Sequence, residues 1–164
     1  MTACGYAPAY GGERPGERLS VAAAPHHIPE LEVIHATLGG ARAELSAAGV
    51  LAPGSSRPRL LIELLRVDEL SSGIAARNGA DGDRIPLARG SAVGVVGRAW
   101  VELESSDISR DTGDVRRVEY FSASEDPRID ALRHSRALQA AGRRLGRALA
   151  RRVLGDPEPP NELM

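Results

Sequence analysis

The chain is poor in the residues that build compact metal and cofactor sites. It has a single cysteine in 164 residues, which can form neither an internal disulfide nor a cysteine-rich zinc site. Aromatic residues make up only 3%, so we expect a core of leucine, valine, isoleucine and alanine. Lysine is absent, and the 21 basic residues are all arginine. Because 22 acidic residues bring the net charge to −1, the chain lacks the overall basic field of a nucleic-acid-binding protein, and no nucleic-acid partner is expected.

Long apolar runs are missing as well. The longest charge-free stretch, residues 45–56, contains two glycines and a proline and is shorter than the roughly 20 apolar residues that span a bilayer. We therefore expect no transmembrane helix. The composition, 42% hydrophobic and 26% charged, is typical of a globular protein, and the length fits one domain.

The cysteine lies close to the start of the chain. Small residues precede Cys4, and a glycine follows it, as at the end of a bacterial lipoprotein signal. The charged and apolar regions of such a signal do not precede it, so we expect a start codon assigned too late or a trimmed sequence. The alternative is an ordinary free cysteine on a disordered tail. Residues 7–18 are rich in glycine, proline and charge, which predicts that residues 1–18 form a lipid anchor and a flexible tether.

Apolar periodicity predicts a single α+β domain over residues 19–154. Strands are expected at 19–24, 59–70, 91–104 and 115–124, and helices at 31–49 and 129–153. Asp126 and Pro127 open the second helix, with Ser124 or Asp126 as its N-cap. Residues 71–90 are expected to form a long loop or a frayed hairpin end, residues 105–114 a turn, and residues 155–164 a disordered tail rich in proline. The β-α-β-β-β-α order predicts a two-layer sandwich, with a four-stranded, mostly antiparallel sheet and both helices on one face.

No arrangement of side chains in the sequence is typical of catalysis. His26 and His27 are adjacent and would point apart, and neither they nor His35 have a cysteine or carboxylate at ligand spacing. Residues 79–83 resemble half of a calcium loop but lack its oxygen spacing and its terminal glutamate. We expect a protein that is not an enzyme and that has no cofactor and no metal.

The second predicted helix has a strongly basic side. Between Arg133 and Arg152 there are seven arginines and no acidic residue. The face consists of Arg133, Arg136, Arg143, Arg144, Arg147 and Arg151. One interpretation is a solvated face that complements the helix dipole or pairs with Glu102, Glu104 and Glu119 of the sheet. The other is recognition of phosphates or carboxylates, which the guanidinium fork suits.

Several of these features together resemble one family. They are Cys4-Gly5-Tyr6, the element order, the segment ARAELSAAG that ends helix one (41–49), the Asp-Thr-Gly turn (111–113) followed by Val118 and Tyr120, and the basic final helix. From Cys4 to Gly155 the pattern resembles the lipopolysaccharide-assembly lipoprotein family LptE. The resemblance implies a lipid-anchored protein at the periplasmic face of the cell outer membrane. It also implies an LptD-like β-barrel partner, which such a lipoprotein helps to assemble, and contact with lipopolysaccharide during delivery to the cell surface.

The resemblance carries over one residue, Cys4, as the anchor. The residues that would contact lipid A phosphates follow no motif that can be matched by position. Arg77, Arg84 and Arg89, in and beside the expected loop, are our candidates for contacts with anionic headgroups at the tip of the domain. Two alternatives stay open: a lipoprotein of another envelope system, such as an ABC-type lipid transporter or a secretion-channel pilot protein, and a small enzyme with a dispersed site.

Overall fold

The structure is a computed structural model that describes residues 17–25, 28–78, 84–105, 108–124 and 126–156. For residues 71–78 and 84–89 it describes the backbone alone. The predicted anchor cysteine, Cys4, and the end of the predicted tail, residues 157–164, lie outside the described residues, as do His26 and His27. The proposed lipid anchor therefore stays a prediction from sequence.

The described residues form two helices and a sheet. The elements are β1 (Ser20–Ala23), α1 (Leu31–Ala47), β2 (Arg59–Asn78), β3 (Arg84–Glu102), β4 (Ile108–Asp111), β5 (Val115–Ser122) and α2 (Pro127–Leu154). The predicted α+β class, with two helices and a mostly antiparallel sheet, is confirmed. One short strand, β4, lies in the segment expected to be only a turn.

The sheet places β2 between β1 and β3. β1 pairs with β2 in parallel, because α1 forms the crossover between them, and every other pairing is antiparallel. β4 and β5 share one edge of β3: β4 pairs with residues 100–102 and β5 with residues 90–97. The sheet formed by these five strands is therefore at most four strands wide.

Alternation along β3 separates the two faces of the sheet. Val95, Ala99 and Val101 are fully buried and belong to the same apolar cluster as residues of both helices. A Cβ atom on Gly97 would meet Leu145 of α2, so the odd-numbered residues of β3 face the helices. The even-numbered residues form the opposite face, which has no helix over it among the described residues.

The two helices pack against each other through small residues. A side chain on Gly40 of α1 would overlap the backbone carbonyl of Arg143, and one on Gly146 of α2 would overlap the carbonyl of Thr37. Gly142 lies equally close to α1, since a Cβ there would be 3.0 Å from the carbonyl oxygen of Val33. Glycine at these positions lets the two backbones approach directly. Through this contact α1 fixes the position of α2 over the sheet.

Residues 71–90 were expected to form a long loop or a frayed hairpin end, and of these two the loop was wrong. β2 and β3 continue as a paired hairpin as far as Asn78 and Arg84. The glycine, asparagine and aspartate content of this stretch is typical of loops, but pairing between two extended segments overrides local composition. The ladder shifts register between Ser72 and Ile74 and between Ala75 and Ala76, and Pro86 lies opposite Ala76. Such irregularities are where a sheet accommodates residues that disfavour a regular strand.

Candidate functional site

The site is built on the basic side of α2. The direction of this side is set by the opposite, apolar side of the helix, which is buried. Leu138, Ala141, Leu145 and Leu149 are buried in the core, so the arginines between them are turned toward the helix flanks and solvent. Helical periodicity places Ala131 on the same side as these residues, yet it is exposed, near the start of the helix. Among the described residues, no helix is long and apolar enough to cross a membrane.

A cleft of about 220 Å³ lies beside the C-terminal half of this helix. Its lining consists of Arg117, Arg144, Arg147, Ala148, Arg151, Arg152 and Asp156. Arg144, Arg147 and Arg151 meet because residues three and four positions apart share one side of a helix. Five arginine residues therefore line one small cavity, together with one acidic residue, Asp156.

Strand β5 supplies the arginine on the opposite side of the cleft. Residues of β5 alternate, and Phe121 makes an edge-to-face contact with His134 of α2 at 5.9 Å between ring centroids. Arg117 and Glu119 share this parity and so point toward the helix. Arg144 confirms the direction, since its Nη1 lies 2.6 Å from the Oε2 of Glu119.

Two of the five arginines have a glutamate partner outside the cleft. Besides the pair of Arg144 and Glu119, Arg151 donates from Nε to the Oε1 of Glu44 on α1 at 2.7 Å. The hydrogen bond and the charge of Glu44 raise the pKa of Arg151 above its ordinary value. These pairs hold two guanidinium groups in place and neutralise them locally.

The other three arginines of the cleft lie on β5 and near the end of α2. Burial, and then the positive charge of Arg152, lower the pKa of Arg117 from its ordinary value. Arg117 donates to the backbone carbonyl of Arg116 at 2.8 Å, and Arg152 to that of Thr112 at 3.4 Å. Arg147 forms no ion pair with any residue that the structure describes. The cleft thus brings arginine side chains from a strand and a helix together.

The predicted basic face is divided by the fold. Arg144, Arg147 and Arg151 line the cleft, whereas Arg133 donates to the carbonyl of Ser122 at 3.0 Å. Arg136 and Arg143 are exposed and do not line the cleft. Of the sheet glutamates expected as partners, Glu119 pairs with Arg144 as expected. The other two do not pair with the helix: Glu102 pairs with Arg57 and Arg59, and the backbone carbonyl of Glu104 accepts from Arg57.

Sequence reasoning missed two arginines of the cleft. Arg117 lies on a strand far from α2 in the chain, and Arg152 was left out of the helix face. The alternation along β5 could have indicated Arg117. Val115, Arg117 and Phe121 are separated by even numbers of residues and therefore lie on the same side of the strand, the apolar one. Its position opposite Arg152, however, depends on how α2 packs on the sheet.

The three arginines proposed for the tip lie in strands, which corrects their expected place in and beside a loop. Arg77 pairs with Ile85, Arg84 with Asn78, and Arg89 with Ile74. Arg77 and Arg84 are therefore close together at the far end of the β2–β3 hairpin, with Arg89 further back. Their contact with anionic headgroups stays a prediction from sequence.

The histidines considered as metal ligands do not form a site in the described part of the chain. His35 is exposed on α1. No group of three or more histidine, cysteine, aspartate or glutamate side chains suitable for a metal ion occurs among the described residues. His134, which was not singled out, lies 3.2 Å from the Oε1 of Glu69.

The face of the sheet away from the helices carries both charged and apolar side chains. Arg98 lies over the ring of Trp100, 5.4 Å from its centroid, and pairs with Glu63 at 2.7 Å. Asp68 pairs with Arg66 and, across the sheet, with Arg116. Its charges are largely paired, so the cleft is the stronger candidate for a ligand site.

Comparison with solved structures identifies the fold. The chain resembles a minor lipoprotein from Acinetobacter baumannii at a TM-score of 0.54 and 9% identity, over 84% of this chain and 90% of that one. It resembles a protein from Caulobacter crescentus CB15 described as a lipoprotein at a TM-score of 0.50 and 9% identity, over 82% and 85% of the two chains. No protein-family model and no curated protein sequence matches the chain. The chain thus shares its fold with these two proteins.

Proposed function

We propose that this chain is the folded domain of an outer-membrane lipoprotein of the LptE kind. In this proposal an acylated Cys4 anchors it to the periplasmic face of the outer membrane. The domain supports assembly of an LptD-like β-barrel and the delivery of lipopolysaccharide to the outer leaflet. It acts by binding, without catalysis and without a cofactor.

The observation that carries the proposal is the pairing of this fold with the cysteine that precedes it. A two-layer sandwich shared with a minor lipoprotein begins at Ser20, and Cys4 lies a short polar segment before it. Anchor, tether and folded domain is the order of parts that a peripheral membrane lipoprotein requires. The sequence pattern that resembles LptE narrows the class to lipopolysaccharide transport.

Arginine-rich surfaces support an anionic ligand. Lipopolysaccharide carries phosphate groups, which guanidinium groups bind in bidentate fashion. Arg77 and Arg84 lie together at the end of the long hairpin, where a strand pair can reach beyond the body of the domain. This position suits a contact with headgroups at the tip.

The first experiment identifies the partner. The gene, with its upstream region, is expressed in its native host, and the tagged product is purified from outer membranes in mild detergent for mass spectrometry. We expect one large outer-membrane β-barrel in stoichiometric amount. A Cys4→Ser variant is the matched control and should lose membrane association while it keeps its fold. Inner-membrane transporter subunits would favour the ABC-type alternative, a secretin would favour the pilot protein, and no membrane association would contradict the anchor.

The second experiment tests the tip. Replacement of Arg77, Arg84 and Arg89 by alanine should weaken lipopolysaccharide binding by about tenfold or more, because charge-assisted hydrogen bonds each contribute about 1.5–3 kcal/mol. A triple replacement of Arg128, Arg136 and Arg143, exposed arginines outside the cleft, removes the same charge and is the control. Unchanged affinity in the tip variant, or an equal loss in the control, would contradict a role for the tip.

A further inference from the structure

One edge of β2 carries no second strand over most of its length. β1 accompanies β2 only from Arg59 to Ile62, and the last backbone hydrogen bond on that side runs from the N–H of Ala24 to the carbonyl of Ile62 at 2.8 Å. From there to Asn78, within the part of the chain that the structure describes, β2 pairs with β3 alone. Alternate residues of such an edge direct their N–H and C=O groups away from the sheet, where another strand can bond to them.

Two irregularities limit the part of this edge that can accept a strand. The register of β2 on β3 shifts between Leu64 and Arg66 and again between Ser72 and Ile74. Between these shifts the ladder is regular, with residues 66–72 of β2 opposite residues 90–96 of β3. A bulge bends and twists the strand that carries it, so an added strand pairs with the regular segment. We call residues 66–72 the free edge of β2.

The charges of the free edge are self-complementary in one antiparallel register. Arg66 and Asp68 lie opposite Val96 and Gly94, on the face of the sheet away from the helices. Their side chains are 66% and 25% exposed, so a partner strand can reach both. When two copies pair about a two-fold axis through Val67, Arg66 of each copy lies opposite Asp68 of the other. Opposite charges at facing positions stabilise an antiparallel pair of strands.

The same charges disfavour the neighbouring registers. An axis through Asp68 places two aspartates opposite each other, and an axis through Glu69 places two glutamates opposite each other, which is destabilising. An axis through Leu70 leaves Arg66 with no acidic residue opposite it. In the register centred on Val67, the exposed side chains of Leu65 and Leu70 lie at the ends of the paired segment, where the second copy covers part of their surface.

Strand β5 provides the other edge of the sheet at this level. It too has opposite charges two residues apart, Arg117 and Glu119, but these face the helices. Glu119 is bonded there to Arg144 of α2 at 2.6 Å. Arg66 and Asp68 face the open side of the sheet instead, so the free edge of β2 is the better surface for a second copy.

We propose that the free edge of β2 binds the free edge of a second copy of this chain, antiparallel and centred on Val67. The two copies then share one six-stranded sheet in the order β5-β3-β2-β2-β3-β5, with the helices of both on one face. Backbone hydrogen bonds supply the attraction, and the charged pairs select the partner and the register. Asp68 keeps the pairs with Arg66 and Arg116 of its own chain, so charges of both signs surround the axis.

This association goes beyond the proposed envelope function and requires neither an acylated Cys4 nor a membrane protein. Its test uses the purified full chain alone, so its failure is distinguishable from failure of partner capture. Sedimentation velocity measures the association at low salt. An interface of this length is small for a stable dimer, and we expect a dissociation constant on the order of 10–100 µM. Hydrogen exchange of the free edge should slow as the dimer forms, whereas that of β5 should not change.

Charge reversal tests the register. Arg66→Glu places like charges opposite each other at two positions and should weaken dimerisation about tenfold or more. A second variant, Asp68→Arg with Arg116→Glu, should do the same with guanidinium groups, while it reverses the ion pair across β3 instead of removing it. An equimolar mixture of the two should form a mixed dimer, because position 66 of each chain then faces the opposite charge at position 68 of the other.

The matched control is Arg128→Glu, a charge reversal at an exposed arginine of α2, which should dimerise like the wild type. Circular dichroism verifies that every variant folds. The proposal is overturned if the wild type stays monomeric up to about 1 mM, far above the expected dissociation constant, or if the control weakens equally. Folded variants that fail to associate when mixed, or slowed exchange in β5 instead of β2, also overturn it. Protection of the free edge only in a complex with a captured membrane protein would assign this edge to a strand of that partner instead.

Discussion

Single glycines determine how closely the two helices pack. Gly39 and Gly40 are neighbours in α1, yet a side chain on Gly40 would overlap the carbonyl of Arg143, whereas one on Gly39 would meet nothing within 4 Å. Glycine weakens the interior of a helix, unless another backbone packs closely against it. The structure supplies that backbone at Gly40 alone, so the two positions form a matched pair.

We predict opposite effects for alanine at these two positions. Gly40→Ala should lower the free energy of unfolding by about 1–3 kcal/mol, because the added methyl group forces the helices apart. Gly39→Ala should raise it by up to about 1 kcal/mol, since alanine favours a helix where nothing opposes it. Urea unfolding of both variants measures the difference. Equal effects at the two positions would contradict the close packing of α1 on α2.

At the end of β3, the side chain of Glu102 bonds to two arginines. It pairs with Arg57 at 3.0 Å and accepts a hydrogen bond from Arg59, and the Arg59 bond lowers the pKa of Glu102 below its ordinary value. A carboxylate whose pKa is lowered by folding stabilises the native state above its unfolded pKa, and that contribution is lost as the pH falls through the folded pKa.

Acid should therefore destabilise the protein partly through this residue. We predict that Glu102→Gln lowers the urea midpoint at neutral pH. The variant should also lose less stability than the wild type when the pH is lowered from neutral to well below the ordinary glutamate pKa of about 4.3. Glu104→Gln, an exposed neighbour, is the charge-matched control. If the wild type and Glu102→Gln lose equal stability on acidification, the carboxylate does not contribute as described.

At the scale of elements, α2 has a capping residue at each end, Asp126 and Gly155. The side chain of Asp126 accepts a hydrogen bond from the backbone N–H of Arg128 at 2.9 Å, and Pro127 occupies the first turn. Gly155 ends the helix with a left-handed φ of 82°. The prediction of Asp126 and Pro127 as the helix start is confirmed, because a cap depends on local sequence.

Removal of the cap should destabilise the protein modestly. Asp126→Ala is expected to lower the free energy of unfolding by about 1 kcal/mol. Asp126→Ser keeps a capping oxygen and should lower it by only about a few tenths of a kcal/mol. Thermal unfolding followed by circular dichroism measures both. An alanine variant as stable as the serine variant would show that another group satisfies the first turn.

The long hairpin shows the limit of reading elements locally. Residues 71–78 and 84–89 contain residues typical of loops, yet they pair. A ladder is stabilised by hydrogen bonds between segments distant in the chain, so composition within one segment does not decide whether it forms. β4 was missed for the same reason, since its four residues take their pairing from β3.

At the scale of the whole molecule, helices and sheet share one core. Leu149 of α2 is fully buried in a cluster that includes residues of α1 and of β1, β2, β3 and β5. Trp100, the only tryptophan in the chain, lies on the sheet face away from the helices. Helix content and Trp100 fluorescence therefore report on opposite sides of that core.

We predict a single cooperative unfolding transition. Circular dichroism and Trp100 fluorescence should give the same midpoint in urea, since neither layer buries its apolar side without the other. Leu149→Ala should lower the free energy of unfolding by about 2–5 kcal/mol. Both midpoints should then fall together. If the fluorescence transition of this variant keeps the wild-type midpoint while helix content is lost, the sheet is stable alone and the shared core is not the unit of folding.

The sequence by itself determined the class of fold, the order of most elements and the start of α2, because periodicity and capping act within a few residues. It also indicated the basic side of α2. Only the tertiary structure decided which arginines form a site. Arg117 of β5 meets Arg147 and Arg152 because packing through Gly40 and Gly146 holds α2 over β5. Contacts between residues so far apart in the chain follow from the packing of whole elements, and no local pattern specifies them.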